Sequence, residues 1–315
     1  MTTTAKSLGA GNTPVELALE AVLQHVPHWA GKTISYAPVP GGLSNLNWCV
    51  TVDGDARTFF VKIPGEGTEL FVDRKAANLA ANMAHARNIG PEVIYFDAQT
   101  GVEISEFLSD HWPSTNTDFL DEEIRDTVID IYKTFHAVEP LPLQKTIFDM
   151  IDEHFAQISE VRANMPRDFE WLRKQYGTVK AAFYSSGLDL VPCFNDPMPG
   201  NFLIGPHKQV KLVDYEFASN NERHFDLGVW FGEMFFDEDT ALHLIEKYFG
   251  SARRETVARV FTMRALADLK WACWSMVQEQ VSGLSFDYFK YGTWKFIRAR
   301  DLMQDPRWPT WVQQI

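Results

Sequence analysis

The sequence is short of positive charge. Its 315 residues include 29 Lys and Arg against 42 Asp and Glu, which gives a formal net charge of -13. A nucleic-acid-binding protein needs a basic surface that displaces counterions from phosphates, so this balance argues against a nucleic-acid partner. It is compatible with a cationic small molecule, although most acidic proteins are acidic for solubility alone.

Cysteines and long apolar runs are also scarce. Cys49, Cys193 and Cys273 are far apart, odd in number and without metal-ligand spacing, which predicts buried thiols in a reducing compartment. The first residues, MTTTAKSLGAGNT, lack the apolar core of a signal peptide, and no later run is long enough to span a bilayer. We therefore expect a cytoplasmic protein with no membrane partner. No pattern in the sequence predicts an oligomeric state.

Secondary-structure patterns divide the chain into a tail and two unequal lobes. Residues 1–20 have the composition of a flexible tail. Residues 21–108 alternate short β-prone runs with turn residues, which predicts an antiparallel sheet with one helix, and residues 109–315 are mainly helical. The predicted fold class is α+β. The strands of the small lobe are expected at 33–36, 48–52, 58–63, 92–96 and 102–107, and its helix at 72–88.

The larger C-terminal lobe is predicted to consist of long helices that one β-rich segment interrupts. This segment spans residues 191–217 and contains the sequence motifs that indicate chemistry. The helices are expected at 121–138, at 149–165, around residue 176, at 239–249 and at 253–281.

Two motifs in the β-rich segment predict phosphoryl transfer. In NDPMPGN, residues 195–201, four residues separate Asp196 from Asn201. Protein-kinase catalytic loops have this spacing, with the Asp orienting the acceptor hydroxyl and the Asn binding magnesium. In VKLVDYE, a short strand ends near Asp214, where a kinase presents its second magnesium ligand. A single Asp or Asn usually caps a helix or makes a turn, but this order and spacing together indicate a kinase.

These motifs resemble the signature blocks of the choline/ethanolamine kinases, which belong to the aminoglycoside phosphotransferase-like superfamily. The blocks are ND, GN, DYE and FDLG, and the resemblance extends from about Gly41 to Arg298. It implies a bilobal protein-kinase-like fold with ATP and Mg²⁺ as cofactors. Carried over residue by residue, it implies that Asp196 is the catalytic base, Asn201 and Asp214 are metal ligands, Asp226 is a buried brace for the catalytic loop, and Glu216 supports the metal site.

The resemblance also implies nucleotide-binding residues in the small lobe. The run Gly41-Gly42-Leu43-Ser44-Asn45 matches the family's nucleotide loop, in which backbone N–H groups approach the phosphates. Lys62, near the end of a predicted strand, occupies the position of the phosphate-binding lysine. An ordinary turn and an exposed strand lysine are the alternative interpretations.

Two positions depart from the family pattern. Phe194 stands where the family usually has a histidine, so packing must replace that residue's support of the loop, or the support is absent. Ala77 stands about where relatives have the glutamate that pairs with the strand lysine. Either Lys62 is anchored differently, for example by Glu66 or Glu69, or nucleotide affinity is reduced. These departures keep a nucleotide-binding pseudokinase as an alternative.

The acceptor pocket is expected to be aromatic. Residues 269–278, LKWACWSMVQ, contain no Gly or Pro, and a helix here places the two tryptophans on one face. Choline kinases have a similar Trp-x-x-Trp-Ser helix and a following tyrosine around the trimethylammonium group, which aromatic faces attract by cation–π interaction. Tryptophans at this spacing are also typical of a core. The expected pocket residues are Trp271, Trp274, Tyr291, Glu233 as a negative charge, and Phe217 as a further wall.

The sequence therefore predicts an ATP-dependent kinase of a small amino alcohol, with choline as the favoured acceptor. Ethanolamine presents a primary ammonium that prefers carboxylate or carbonyl acceptors, and it is the nearest alternative. An aminoglycoside or another amino alcohol would need a roomier, acidic site. The alternative without turnover is the pseudokinase.

Overall fold

The computed structural model describes residues 5–40, 45–65, 72–283 and 285–315. The chain forms two compact units. The N-terminal unit comprises Met1–Pro113 and Phe202–Phe217, and the helical unit comprises Ser114–Asn201 and Ala218–Ile315. The first boundary falls a few residues after the 108/109 boundary expected from the sequence. Residues 202–217 group with the N-terminal unit, because their strands pair with β-structure at residues 112–113.

Antiparallel sheets form most of the N-terminal unit. The largest has the strand order β1-β2-β3-β4-β6-β5, a second has the order β10-β9-β7, and a two-stranded sheet of β11 and β8 lies in the helical unit. The strands are β1 (Lys6–Ser7), β2 (Ile34–Pro38), β3 (Asn45–Val52), β4 (Thr58–Pro64), β5 (Val93–Phe96), β6 (Glu103–Glu106), β7 (Trp112–Pro113), β8 (Leu190–Cys193), β9 (Phe202–Ile204), β10 (Val210–Leu212) and β11 (Ser219–Glu222).

The helices make up most of the rest. Among the described residues, no helix combines the length and the apolar character that a membrane span requires. The helices are α1 (Pro14–Gln24), α2 (Arg74–Ala86), α3 (Glu122–His136), α4 (Ile147–Val161), α5 (Phe169–Ser186), α6 (Arg223–Glu233), α7 (Glu238–Phe249), α8 (Arg254–Val281), α9 (Tyr288–Met303) and α10 (Trp308–Gln314).

The predicted α+β fold is confirmed, with a sheet-containing N-terminal region and a mainly helical remainder. The five predicted strands and the helix at 72–88 are present with slightly different ends. The predicted helices of the C-terminal part correspond to α3, α4, α5, α7 and α8, whereas α9 and α10 were not predicted.

The flexible tail predicted for residues 1–20 is wrong for the part that the structure describes. Thr13 caps α1 through a capping box with Glu16, and Pro14 occupies the first turn. Leu19 and Leu23 of α1 are buried in the apolar core of the sheet. The N-terminal unit thus has a second helix, α1, and a sixth strand in its main sheet, because this segment covers apolar surface that the sheet would otherwise expose.

Helix α8 is the centre of the helical unit, where α4, α6, α9 and α10 pack against it. The approach of α6 to α8 depends on Gly228 of the FDLG motif. A Cβ atom at Gly228 would lie 2.7 Å from the backbone nitrogen of Arg264 and 2.9 Å from the carbonyl oxygen of Val260. Glycine at this position therefore allows direct contact between the two helix backbones.

Candidate active site

Four of the predicted nucleotide- and metal-site side chains meet in the N-terminal unit. Lys62 Nζ lies 2.9 Å from Asp214 Oδ1 and 3.9 Å from Glu216 Oε2. Asn45 Nδ2 donates a hydrogen bond of 3.0 Å to Glu216 Oε2. The predicted loop residues Gly41, Gly42 and Ser44, and the alternative anchors Glu66 and Glu69, lie outside the described residues.

Backbone strain accompanies this cluster. Asp214 has φ of 68°, in the left-handed region that a non-glycine residue seldom adopts. Such strain persists only where the surrounding structure fixes the residue, and it is concentrated at functional sites. The short strand β10 ends just before this turn, so the turn directs the carboxylate of Asp214 toward Lys62.

Lys62 is anchored by carboxylates that the sequence did not connect with it. Its side chain is 14% exposed, and burial opposes its charge, but Asp214, Glu103 and Glu216 together raise its pKa above the ordinary value. Glu103 lies directly opposite Lys62 in the β4–β6 register. Burial raises the pKa of Glu103 and, with the charge of Asp214, that of Glu216. In place of the family's glutamate, Asp214, Glu103 and Glu216 thus anchor Lys62.

An open cleft of about 360 Å³ lies beside this cluster within the N-terminal unit. Ala77 lines the cleft at the position where the family usually has a glutamate, and its small side chain leaves space there. The other lining residues are Asn45, Lys62, Pro64, Val72, Arg74, Phe96, Gly101, Glu103 and Glu216.

The helical unit holds the predicted catalytic loop. Asp196 is 8% exposed. Asn201 Nδ2 donates hydrogen bonds to the backbone oxygen of Asp196 at 2.9 Å and to its Oδ2 at 3.3 Å. The loop closes through a bond from the Asn201 backbone N–H to the Met198 carbonyl, and Ser114 Oγ donates to the Pro199 carbonyl at 2.6 Å. The predicted base and metal ligand are therefore neighbours.

Asp226, the residue predicted as a brace, is bonded to the backbone that precedes Asp196. Its two carboxylate oxygens accept hydrogen bonds from the backbone N–H groups of Phe194 at 2.6 Å and Asn195 at 2.7 Å. His136 Nε2 lies 3.0 Å from Asp226 Oδ2, and Tyr248 Oη lies 2.6 Å from His136 Nδ1. His136 and Tyr248 could not be predicted from the sequence, because their helices are distant in sequence and no motif links them to the loop.

The two residues before Asp196 are also fixed. Phe194 is fully buried, and Asn195 has φ of 70°. The Asn195 side chain donates to Ser219 Oγ and accepts from Asn221 Nδ2, both at 2.8 Å. The strained backbone before Asp196 is thus held by side-chain as well as backbone bonds.

Three of the predicted acceptor residues lie together in the helical unit. The rings of Trp271 and Trp274 are 5.5 Å apart and nearly perpendicular, and the ring of Tyr291 is 6.2 Å from that of Trp274. Trp271 is buried, whereas Trp274 and Tyr291 are half-buried. Phe217 belongs to the N-terminal unit, so its place in an acceptor pocket stays a prediction.

Glu233, predicted to add negative charge to the acceptor pocket, is paired with basic side chains. It is buried and forms an ion pair with Lys295, and Arg298 Nη2 lies 3.9 Å from its Oε1. Lys270, a further buried cation that the sequence analysis missed, lies with Nζ 3.0 Å from the ring centre of Trp271. The sequence held one signal for its burial. The apolar and polar residues of α8 are not separated into two faces, which is typical of a helix that is buried on all sides.

Each unit contains one predicted metal ligand with an oxygen atom of the kind that magnesium prefers. Asn201 uses its amide nitrogen on Asp196, so its side-chain oxygen is the atom suited to a metal, and Asp214 offers a carboxylate. Mg²⁺ prefers oxygen ligands of this kind.

Comparisons with known proteins identify the class and then the family. A crystal structure of a choline/ethanolamine kinase family protein from Mesorhizobium loti matches with a TM-score of 0.82 at 25% identity, covering 95% of this chain and 98% of that one. A spectinomycin phosphotransferase shares this kinase-like fold, with a TM-score of 0.61 at 12% identity over 89% of this chain and 94% of that one.

Sequence relatives point to the same family. Probable choline kinase 2 of Arabidopsis thaliana is 23% identical over 300 residues, covering 84% of this chain and 84% of the relative. Ethanolamine kinase 2 of Mus musculus is 24% identical over 308 residues, covering 89% of this chain and 79% of the relative. The family model for choline/ethanolamine kinase matches residues 36–257. The chain belongs to the choline/ethanolamine kinase family, and it is a phosphotransferase that acts on an alcohol group.

Proposed function

We propose that the protein transfers the γ-phosphoryl group of ATP to the hydroxyl of choline, giving ADP and phosphocholine. The observation that carries the proposal is the braced catalytic loop, in which Asn201 bonds to Asp196 and the preceding backbone is held by Asp226. A loop fixed in this way suits a reaction in which the protein contributes positioning and charge stabilisation.

The roles of the residues follow from their chemistry. Asp196 orients the acceptor hydroxyl and accepts its proton as the oxygen attacks phosphorus. Asn201 and Asp214 bind magnesium, which neutralises charge on the phosphate oxygens when it is bound. Lys62, held as a cation by its carboxylate neighbours, binds phosphate, and Asn45 and the loop Gly41-Gly42-Leu43-Ser44 approach the nucleotide.

Choline is favoured over ethanolamine because of the aromatic cluster of Trp271, Trp274 and Tyr291. A quaternary ammonium donates no strong hydrogen bond, so aromatic faces are its natural surroundings, at about 0.5 to 2 kcal/mol per contact. Ethanolamine is the second candidate, which the similarity to a mouse ethanolamine kinase supports. Phe217 and Glu233 complete the proposed pocket residues.

The test is ADP release by the purified protein with MgATP and choline, ethanolamine or no acceptor. We expect choline-dependent release that Asp196→Asn abolishes. Asp239→Asn, an exposed change on α7, is the matched control and should retain activity. ADP release that occurs with ethanolamine but not with choline would identify ethanolamine as the acceptor instead. Bound nucleotide without release for either amine would instead support the pseudokinase alternative.

A further inference from the structure

Internal lysines occupy the aromatic faces that an ammonium acceptor would use. Lys270 Nζ lies 3.0 Å from the ring centre of Trp271, and Lys295 Nζ lies 5.3 Å from that of Tyr291. The two lysines are 4% and 3% exposed, so both ammonium groups lie inside the protein. Cation–π attraction acts within about 6 Å of a ring centre, and both contacts meet this limit.

The carboxylates around these rings already interact with basic side chains. Lys295 pairs with Glu233 and lies 3.7 Å from Asp268, while Arg298 lies 2.9 Å from Asp268. The charge of Asp196 favours the protonated form of Lys270, although burial lowers its pKa to about 7. Among the described residues, the three carboxylates of this cluster, Asp196, Glu233 and Asp268, thus interact with five basic side chains, Lys145, Arg264, Lys270, Lys295 and Arg298. An added cation finds no surplus negative charge here.

We propose that Lys270 is a specificity-determining residue whose ammonium group competes with the ammonium group of the acceptor for the face of Trp271. This inference rests on the proposed function, because it assumes that Trp271 lines the acceptor site. A quaternary ammonium then binds only when Lys270 leaves that face or loses its charge. The consequence is weaker binding of choline than the aromatic cluster alone would give.

Lys270→Met tests the competition, because methionine is similar in length and carries no charge. We expect the KM for choline to fall about tenfold, the effect of one cation–π contact. Lys290→Met, an exposed lysine on α9, is the matched control and should leave the KM unchanged. In a Trp271→Leu background, Lys270→Met should have little further effect, since the contested face is gone. An equal gain in both backgrounds would overturn the competition, as would no gain in a folded Lys270→Met protein.

Equilibrium binding of tetramethylammonium without ATP separates this inference from the proposed function. Absent choline turnover would refute the proposed function, whereas the binding comparison between wild type, Lys270→Met and Lys290→Met would still decide the role of Lys270. No tetramethylammonium binding to wild type or Lys270→Met would overturn the inference.

If Lys270→Met does not fold, the wild-type pH profile decides. Lys270 loses its charge as pH rises through its pKa, so tetramethylammonium should bind more tightly at about pH 8 than at about pH 6. A flat profile would overturn the inference. The groups that interact electrostatically with Lys270 include Asp196, Lys145, Lys295, Glu233 and His154. Burial raises the pKa of Asp268, which lies 3.7 Å from Lys295, to about 6, so Asp268 also ionises in this range. The profile is therefore repeated in Asp268→Asn, where the tighter binding at about pH 8 should remain if Lys270 causes it.

Discussion

Asp226→Asn is the sharpest test of how the catalytic loop is positioned. The carboxylate accepts one backbone N–H on each oxygen, from Asn195 on Oδ1 and from Phe194 on Oδ2. An asparagine has one oxygen and one NH₂ group, so one of the two N–H groups must face a donor. The side chain keeps nearly the same shape, which limits the change to charge and hydrogen bonding.

The cost can be worked from these contacts. A buried donor left without its acceptor costs about 1 to 3 kcal/mol, and hydrogen bonds to a charged group are worth about 1.5 to 3 kcal/mol. We expect a loss of about 3 kcal/mol in the free energy of unfolding. Because Asn195 precedes Asp196 in a strained conformation, a freed backbone should also misplace the base, and a displacement of about 1 Å costs about 100-fold in rate.

The assay combines thermal unfolding with steady-state kinetics at saturating MgATP. We expect kcat to fall about 100-fold while the KM for ATP changes little, since Asp226 has no direct role at the nucleotide. Asp239→Asn controls for loss of one negative charge. A variant with normal kcat, or one that loses only stability while the folded fraction remains fully active, would refute the bracing role.

Two further predictions concern stability. Gly228→Ala should lower the free energy of unfolding by about 1 to 3 kcal/mol, because the new methyl group meets the backbone of α8 and cannot rotate away. Thermal unfolding measures this cost, with Gly283→Ala as the control, since a Cβ atom at Gly283 would meet nothing within 4 Å. Equal stabilities of the two variants would contradict the prediction. Burial lowers the pKa of His154 from 6.5 to about 3. Between about pH 3 and 6.5 its imidazole is therefore protonated in the unfolded chain but neutral in the folded protein. Stability should therefore fall as pH drops below 6.5, by up to about 1.4 kcal/mol per pH unit from this residue. Urea titrations should show a shallower decline in His154→Leu, and an unchanged slope would exclude the assignment.

Local patterns predicted the main strands, most of the long helices and the closeness of Asp196 to Asn201. The loop residues Asp196 and Asn201 are close in sequence, so their spacing alone determines that they meet. The capping box at Thr13 and Glu16 was an equally local signal for α1, but the Thr- and Gly-rich residues before it suggested a tail. The capping box is the more specific of the two signals, and the structure follows it.

Contacts that depend on strand order or helix rotation were out of reach. Glu103 faces Lys62 only because β6 pairs with β4, and no motif in either strand encodes that pairing. The environment of Lys270 depends on α8 being surrounded by other helices, so that the charged residues Arg259, Asp268 and Lys270 are buried. Glu103 and Lys270 are charged side chains that lie away from solvent, whereas sequence patterns assign charged residues to the surface.

The departure at Phe194 shows why a family signature can change without loss of its support. Asp226 holds the backbone of residues 194 and 195, and a backbone N–H is present whatever the side chain at these positions. The Phe194 side chain needs only an apolar environment, which its complete burial provides, while His136 Nε2 lies 3.0 Å from Asp226 Oδ2, the oxygen that also accepts the Phe194 N–H. The missing histidine therefore gives no independent argument for a pseudokinase, and the question of turnover rests on Asp196 itself.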